Sequence, residues 1–499
     1  MGEQEWRDDV NTSPPVFTNL AQLVSRNAAS HPNGVAVVQP SPRRRSLTWA
    51  ELDFLVTSVA SGLAAHGLVA GHRVAVCGPN SIEFVVAYFA ALRAGFVCVP
   101  VNPEASDEDV HSMLLDCGAR ALLSAADRQI ADVRTFSLTE SGLQALGADG
   151  SGRVISPADR EALAVLLYTA GTSGDPKAAM LTHRALLSHL EHIEPYEIVD
   201  DHTIVLGVLP MFHVFGLNAV LGSSVMGAAT LVVTDASDDL MKIIVEERVT
   251  NLPVGPSTIY RMLQHDDVAT SLVEVRTVLC GAAALPPALA DAFTSRTGLR
   301  VDQGYGLTEA SPGVTVTLGG GQPLPGHLGR PLPGVDVRIG DGRDEGEPAE
   351  IWIRGDNLFS GYWPDGSGGP DHNGWFATGD IGYLADGELV LVDRVRELIT
   401  VNGFHVYPAE VEAVIRELPG IDDVAVVGKP DERSGEQVVA FAAGRGVTEQ
   451  MILDHCSSSL ARFKRPTEVH LLEELPRGAT GKIKKGALRR LTSTAEVSP

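Results

Sequence analysis

The feature that most restricts the fold of this chain is the exchange, along most of its length, of apolar segments with helical period and short apolar runs. Residues 47–68 carry apolar side chains at helical spacing, residues 73–77 form a short apolar run, residues 81–94 are helical again and residues 97–101 are strand-like. Residues 106–117 open with Ser106 ahead of Asp107, Glu108 and Asp109, the composition of a capped, acidic first turn. Beyond residue 160 the exchange resumes. Strands are expected near 165–168, 203–209, 230–233 and 277–279, and helices near 183–192, 217–226, 238–248, 256–264 and 286–297. Short apolar strands separated by helices build parallel sheets covered on both faces. The series is too long for one open sheet. The expected fold class is therefore α/β, with a large N-terminal domain holding two helix-covered, mostly parallel sheets.

From 319 to 346 glycine and proline dominate, and short strand-like runs follow at 335–339, 350–354, 382–384 and 388–392, the last two joined by the turn pair Asp386-Gly387. A small β subdomain is expected there. After Asp393-Arg394 the pattern returns to mixed α and β, with helices near 409–417 and 449–460 and strands near 423–428 and 437–443, the marks of a small C-terminal α+β domain. Residues 365–369 read as a surface loop.

Composition sets limits on partners and compartment. The 499 residues carry a net charge of −24, which disfavours nucleic acid and anionic membrane surfaces as partners. Between Arg462 and Arg490, however, basic residues outnumber acids; this is either a solvated face or a device that carries cations to an anionic substrate. The five cysteines, Cys77, Cys98, Cys117, Cys280 and Cys456, are odd in number and widely spaced, as in a reducing compartment. The first residues lack a basic and apolar leader pattern, and no uncharged apolar run reaches about 18 residues. A cytoplasmic enzyme without an integral membrane segment is expected.

The most informative segment is Tyr168-Thr169-Ala170-Gly171-Thr172-Ser173-Gly174-Asp175-Pro176-Lys177, read as the link from a buried strand to a helix. Small and hydroxylated residues let backbone N–H groups approach an anion, and Lys177 adds a point charge. It is not the Gly-x4-Gly-Lys-Ser/Thr loop, because Pro176 precedes the lysine. On spacing alone, a phosphate loop and an ordinary strand-to-helix turn are equally good readings.

This segment resembles the Ser/Thr/Gly-rich signature of the adenylate-forming superfamily, which includes acyl- and aryl-CoA ligases, peptide-synthetase adenylation domains and firefly luciferase. Ala170, Ser173 and Ala178 depart from the usual pattern; Ala170 loses a hydroxyl and Ala178 restricts the loop. Further segments follow in the family's order. They are Pro210-Met211-Phe212-His213-Val214-Phe215-Gly216, Gly281-Ala282-Ala283-Ala284, Gln303-Gly304-Tyr305-Gly306-Leu307-Thr308-Glu309, Thr378-Gly379-Asp380, Asp393-Arg394-Val395-Arg396-Glu397 and Gly478-Ala479-Thr480-Gly481-Lys482. Read singly, Glu309 fits a solvated loop acid, Asp380 a turn residue, His213 a packed core histidine and Lys482 a solvated charge. Their order along one chain favours a shared site.

The resemblance implies roles for particular residues. Thr169, Gly171, Thr172, Ser173, Gly174 and Lys177 would cradle phosphates. Gly281, Ala282, Gln303, Gly304 and Tyr305 would flank adenine, Thr308 would reach a phosphate, and Glu309 would hold Mg²⁺. Asp380 and Arg394 would take the ribose hydroxyls. Lys482 would swing over the reacting carboxylate, and Lys482, Thr172, Lys177 and His213 would carry the chemistry. His213, Val254, Gly255, Ala282 and Ala283 would line the acyl pocket. Arg396 would be the pivot of a hinge at 394–397 between domains 1–393 and 398–499, and Gly403 would lie near pantetheine. Thr400 and Asn402 stand where several relatives carry lysine. Arg261 either pairs with a second substrate carboxylate or lies on the wet face of its helix. The implied activity is that of an ATP-dependent acid–CoA ligase acting on a fatty or aryl acid, using ATP, Mg²⁺ and coenzyme A. Loading of a carrier-protein thiol and non-catalytic binding of an acyl-adenylate stay open as alternatives, as does a homodimer.

Overall fold

The computed structural model describes residues 17–128, 130, 133–150, 154, 158–169, 177–235, 237–320, 326–340, 347–394, 397–401, 404–431, 435–478 and 482–494. The described strands form four sheets. A six-stranded sheet runs Arg134–Ser137, Ala121–Ser124, Arg73–Cys77, Val97–Val101, Leu163–Thr169 and Lys177–Thr182 in spatial order. Only the last pair is antiparallel. A nine-stranded sheet has a parallel centre, from Asp302–Gly306 through Thr277–Cys280, Asn251–Val254, Ile204–Gly207 and Thr230–Val233 to Val35–Gln39. Antiparallel strands finish both of its ends.

The helix Ile82–Arg93 joins the two sheets. It packs against Arg73–Cys77 and Val97–Val101 of one and Val35–Gln39 of the other, and all of its residues are buried. Ser81 starts it, its side chain accepting from the N–H of Phe84. The two buried charges are paired, Glu83 with Arg45 at 2.7 Å and Arg93 with Asp53 at 2.7 Å. Each fully buried Val, Leu or Phe on this helix contributes about 1.5–3 kcal/mol, which is why so apolar a segment ends as the filling between two sheets.

The β subdomain is a four-stranded antiparallel sheet of Val335–Ile339, Ala349–Gly355, Phe376–Ala385 and Glu388–Arg394. Its last hairpin turns at Asp386 and Gly387, both with positive φ (51° and 78°). The last sheet holds Phe404–Val406, Ile399–Val401, Gly435–Gly444, Ile421–Asp431 and Glu468–Leu471, with helices Pro408–Arg416, Glu449–Ser459 and Lys485–Thr494 beside it. Among the described residues no helix is long and apolar enough to cross a membrane.

Four local expectations are corrected. Residues 45–48 are a strand, and the helix begins only at Trp49, where Thr48 and Glu51 form a reciprocal capping box. The helix expected at 217–226 is a π-helix, Phe215–Gly222, continued by Ser223–Met226. The strand expected at 382–384 extends over Phe376–Ala385, so Thr378-Gly379-Asp380 lies within a strand. The segment after the Ser/Thr/Gly-rich loop is the strand Lys177–Thr182, with the helix His183–Ile193 starting after it. That loop is thus the tip of a β-hairpin rather than a helix N-terminus, and a helix dipole gives it no help with anions. The basic segment near the C-terminus is largely ion-paired: Lys464 meets Glu410 at 2.6 Å, Lys485 meets Glu397 at 2.7 Å, and Arg477 meets Asp423.

Candidate active site

The site is built at the carboxyl ends of parallel strands, where open α/β sheets present their crevices. Strands Asn251–Val254 and Thr277–Cys280 end side by side, with Val254 paired to Cys280. The next residues, Gly255, Gly281 and Ala282, form the rim. Gly281 donates its N–H to Val254 O at 3.1 Å, and Ala282 takes a left-handed φ of 68°. A Cβ on Gly281 would stand 2.7 Å from Cε1 of Phe215, so ring and glycine are mated. Val254 itself is fully buried in the apolar cluster that includes Leu206, Ile259 and Cys280. Its side chain therefore supports the rim from below instead of lining a pocket, whereas Gly255, Ala282 and Ala283 remain at the surface of the cleft wall. Arg261 is exposed on the helix Pro256–Met262, the wet-face position.

His213 faces this rim from the loop before the π-helix. Asn80 fixes that loop: its amide donates to Gly207 O and Leu209 O at 2.9 Å each, and its oxygen accepts the N–H of Met211 at 2.9 Å. His213 Nδ1 accepts the N–H of Phe215 at 3.3 Å, which leaves the proton on Nε2. Burial, with the nearby charge of Lys482 added, pulls the His213 pKa down to about 4, so the ring is neutral at physiological pH. The same coupling shows that Lys482, from the far end of the chain, lies close to His213. Lys482 projects from a turn closed by Gly478 N–H to Lys482 O (2.8 Å) and Lys484 N–H to Pro476 O (2.7 Å).

Strand Asp302–Gly306 continues the row. Gln303 donates its N–H to Thr317 Oγ1 at 2.9 Å, and Gly304 pairs with Val316. The Tyr305 hydroxyl donates to Asp380 Oδ2 at 2.6 Å, with both residues buried, which ties the large sheet to the β subdomain. Asp380 is oriented from behind, its N–H donating to Thr378 Oγ1 at 3.1 Å while that hydroxyl donates to Ile351 O at 2.9 Å. Arg394 is the strand partner of Asp380 in the backbone register.

Thr308 and Glu309 form a single 3₁₀ turn. Three contacts brace it. Asn357 donates to Ala310 O and Gly313 O at 2.8 Å each, Phe359 N–H donates to Glu309 O at 2.8 Å, and Asn218 of the π-helix donates to Ser311 O at 2.7 Å. The Glu309 carboxylate accepts the hydroxyl of Tyr362, and the ammonium of Lys177 stands 5.3 Å from the centre of the same ring. Tyr362 thereby joins Glu309 to the hairpin that carries the Ser/Thr/Gly-rich loop. That hairpin closes at Thr169 and Lys177, which pair across it. Trp363 N–H donates to Ala178 O at 2.9 Å, and Ala178 is buried, so its methyl is accommodated as core. Tyr168 points elsewhere, to Met113 O and Asp116.

The structure thus gathers His213, Gly281, Ala282, Tyr305, Glu309, Asp380, Lys177 and Lys482 around one crevice. Gly171, Thr172, Ser173, Gly174, Arg396, Asn402 and Gly403 lie outside the described residues, as does the side chain of Arg394. Four supporting residues, Asn80, Asn218, Asn357 and Tyr362, were not singled out from the sequence. A buried asparagine must satisfy its amide, so asparagine inside an apolar run such as Phe215–Gly222 was the available signal for Asn218.

Alanine at Gly281 tests the rim. The added methyl must displace Phe215, and one misfitted methyl in an apolar wall typically costs about 10- to 200-fold in discrimination. Gly281→Ala is expected to raise the KM for the acid with little change in the KM for ATP, and Gly281→Ala combined with Phe215→Leu to recover most of the loss.

Comparison with known proteins agrees with this geometry. The AMP-binding enzyme family model matches residues 24–363, and the AMP-binding enzyme C-terminal domain model matches 410–482. The chain belongs to the AMP-binding enzyme family. It is 34% identical to the long-chain-fatty-acid–CoA ligase FadD13 of Mycobacterium tuberculosis, over 94% of this chain and 98% of that one. It is 33% identical to a feruloyl-CoA synthase of Amycolatopsis, over 93% and 97%. ATP-bound MatB from Rhodopseudomonas palustris superposes with a TM-score of 0.88 at 28% identity, covering 95% of this chain and 99% of MatB. The apo form of MatB gives 0.76 at 27% identity, covering 96% and 100%. The arrangement of domains in this chain is therefore nearer the ATP-bound form, in keeping with Lys482 beside His213. Membership places the chain among AMP-forming acid–thiol ligases.

Proposed function

We propose that this chain converts a carboxylic acid to its acyl-adenylate with ATP, releasing pyrophosphate, and then moves the acyl group to the thiol of coenzyme A. The observation that carries this reading is the position of Lys482 next to His213, at the rim formed by Gly281 and Ala282. A carboxylate resists nucleophiles, and bringing it to a polyphosphate adds repulsion between anions. Lys177, the N–H groups of 171–174 and Lys482 would offset that repulsion and stabilise charge as it shifts to pyrophosphate. Tyr305, with Gln303, Gly304, Gly281 and Ala282, would enclose the adenine, while Asp380 and Arg394 would take the ribose. Neutral His213 offers an Nε2–H donor for orienting the acid.

Glu309, with Thr308 beside it, suits Mg²⁺, a cation that takes one or two carboxylates and completes its shell with phosphate oxygens and water. Among the described residues no cluster of three or more His, Cys, Asp and Glu could hold a metal without substrate. When bound, Mg²⁺ supplies positive charge against the departing pyrophosphate. For the second step a thiol with an ordinary pKa near about 8.5 is partly ionised at neutral pH, and a strong base is not required. Rotation about 394–397, with Arg396 as the pivot between 1–393 and 398–499, would withdraw Lys482 and bring Gly403 towards pantetheine.

The acid proposed is apolar, aliphatic or aryl. Small residues at Gly255, Ala282 and Ala283 support this, as does the exposed placement of Arg261, which supplies no counter-ion to a second carboxylate. We place the reaction in the cytoplasm, in keeping with five buried thiols. The test is ATP–pyrophosphate exchange over short to long fatty acids and aryl acids, followed by thioester analysis with free CoA. Acid-dependent exchange and a CoA thioester are expected. Exchange without a CoA thioester would favour a carrier-protein acceptor, and nucleotide binding without exchange would favour a non-catalytic binder.

A further inference from the structure

Lys485 opens the helix Lys485–Thr494, three positions beyond Lys482. A cation in the first turn of a helix works against the helix dipole, so the helix itself gives no reason for a lysine there. The ammonium lies between two carboxylates, 2.7 Å from Glu397 Oε2 and 2.8 Å from Glu412 Oε1, with its side chain only 16% exposed. Burial disfavours its charge, but Glu412 and Glu397 outweigh burial and hold its pKa above the ordinary lysine value.

The two acids belong to different parts of the chain. Glu412 is anchored to the last sheet, where its Oε1 accepts the N–H of Val426 at 2.9 Å. Glu397 stands three residues after Arg394, where the chain leaves the β subdomain and enters the last sheet at Ile399. The turn bearing Lys482 therefore has an ion-paired foot on each side: Arg477 with Asp423 before it, and Lys485 with Glu397 and Glu412 after it. Of these two feet, the Lys485 side reaches the junction between domains. The helix does not need the bridge in order to dock, because Leu488 is already buried in a cluster with Ala425, Val427, Val439 and Phe441.

We propose that Lys485 is a positioning residue: the Glu397–Lys485–Glu412 bridge sets the turn of Lys482 against the interdomain junction, so that Lys482 reaches the crevice for the adenylation step. This rests on the reading of Lys482 given above. Misplacing a group that must meet a reacting centre by about 1 Å costs on the order of 100-fold.

The test measures acyl-adenylate formation and thioester formation from supplied acyl-AMP as separate reactions in the full-length protein, for wild type, Lys485→Ala, Lys485→Arg and Glu397→Gln. Glu397→Gln leaves the Lys485–Glu412 pair in place, so it reports even if Lys485→Ala does not fold. The expected result is a 10- to 100-fold lower adenylation kcat in Lys485→Ala and Glu397→Gln. The KM for ATP should stay within about twofold and the thioester step should be unchanged, with most of the loss recovered in Lys485→Arg. Equal losses in both steps, or unchanged adenylation in folded Glu397→Gln, would overturn the positioning role. A wild-type protein that forms no acyl-adenylate would overturn the underlying reading as well.

Discussion

Replacing Lys482 by alanine should slow acyl-adenylate formation by about 10²–10³-fold, the usual cost of removing one preorganised donor aimed at developing charge. Thioester formation from supplied acyl-AMP should change by no more than about threefold, since in that step the charge leaves with AMP after the lysine has been withdrawn by domain rotation. The asymmetry follows from position. Lys482 is exposed, near His213, and carried on a short turn whose legs are closed by backbone bonds. Deleting its side chain removes no core packing, so the melting temperature should be unaffected. ATP–pyrophosphate exchange and single-turnover thioester assays measure the two steps separately. Equal losses in both would show that Lys482 acts on bound nucleotide generally and not on the first transition state.

Glu309→Gln should be nearly as severe. The substitution keeps the shape and leaves an oxygen to accept the Tyr362 hydroxyl, but removes the negative charge. If Glu309 serves only as the acceptor for Tyr362, the variant should be close to silent. If it holds Mg²⁺ against the phosphates, adenylation should fall by about 10²–10³-fold, the scale of several kcal/mol of metal-assisted charge stabilisation, and the Mg²⁺ concentration for half-maximal rate should rise. Tyr362→Phe is the companion. It keeps the carboxylate and the ring that faces Lys177 but frees Glu309 from its tether, and a smaller loss is expected. Initial rates over a Mg²⁺ titration distinguish the three proteins.

The elements that could be read from the sequence are those whose burial is decided locally. Ser81 followed by the apolar run of Ile82–Arg93 announces a capped, buried helix, and Arg73–Cys77 and Val97–Val101 are short enough to be strands alone. What escaped depends on partners distant in sequence. Lys177–Thr182 is a strand because it pairs with Leu163–Thr169 and is covered by residues 360–363, and nothing within its own six residues says so. Thr378-Gly379 reads as a turn, yet it lies in a strand whose neighbour is Ala349–Gly355. The crevice shows the same division. Tyr305, Glu309, Asp380 and Lys482 sit in recognisable segments, whereas their supports act by reaching across the fold. Asn80 grips a loop from 127 to 131 residues away, and Tyr362 meets Glu309 from 53 residues away. Val254 was misplaced into the acyl pocket because the period of a strand does not tell which of its two covered faces borders a ligand.

The central claim is that an oxygen of the acid attacks the α-phosphorus of ATP. It is tested most directly with a carboxylate labelled with ¹⁸O in both oxygens, turned over with ATP, Mg²⁺ and CoA, and with the phosphorus products analysed by mass. Adenylation leaves one labelled oxygen on AMP and none on pyrophosphate. Label in orthophosphate with ADP as the nucleotide product, or AMP without label, would contradict the account.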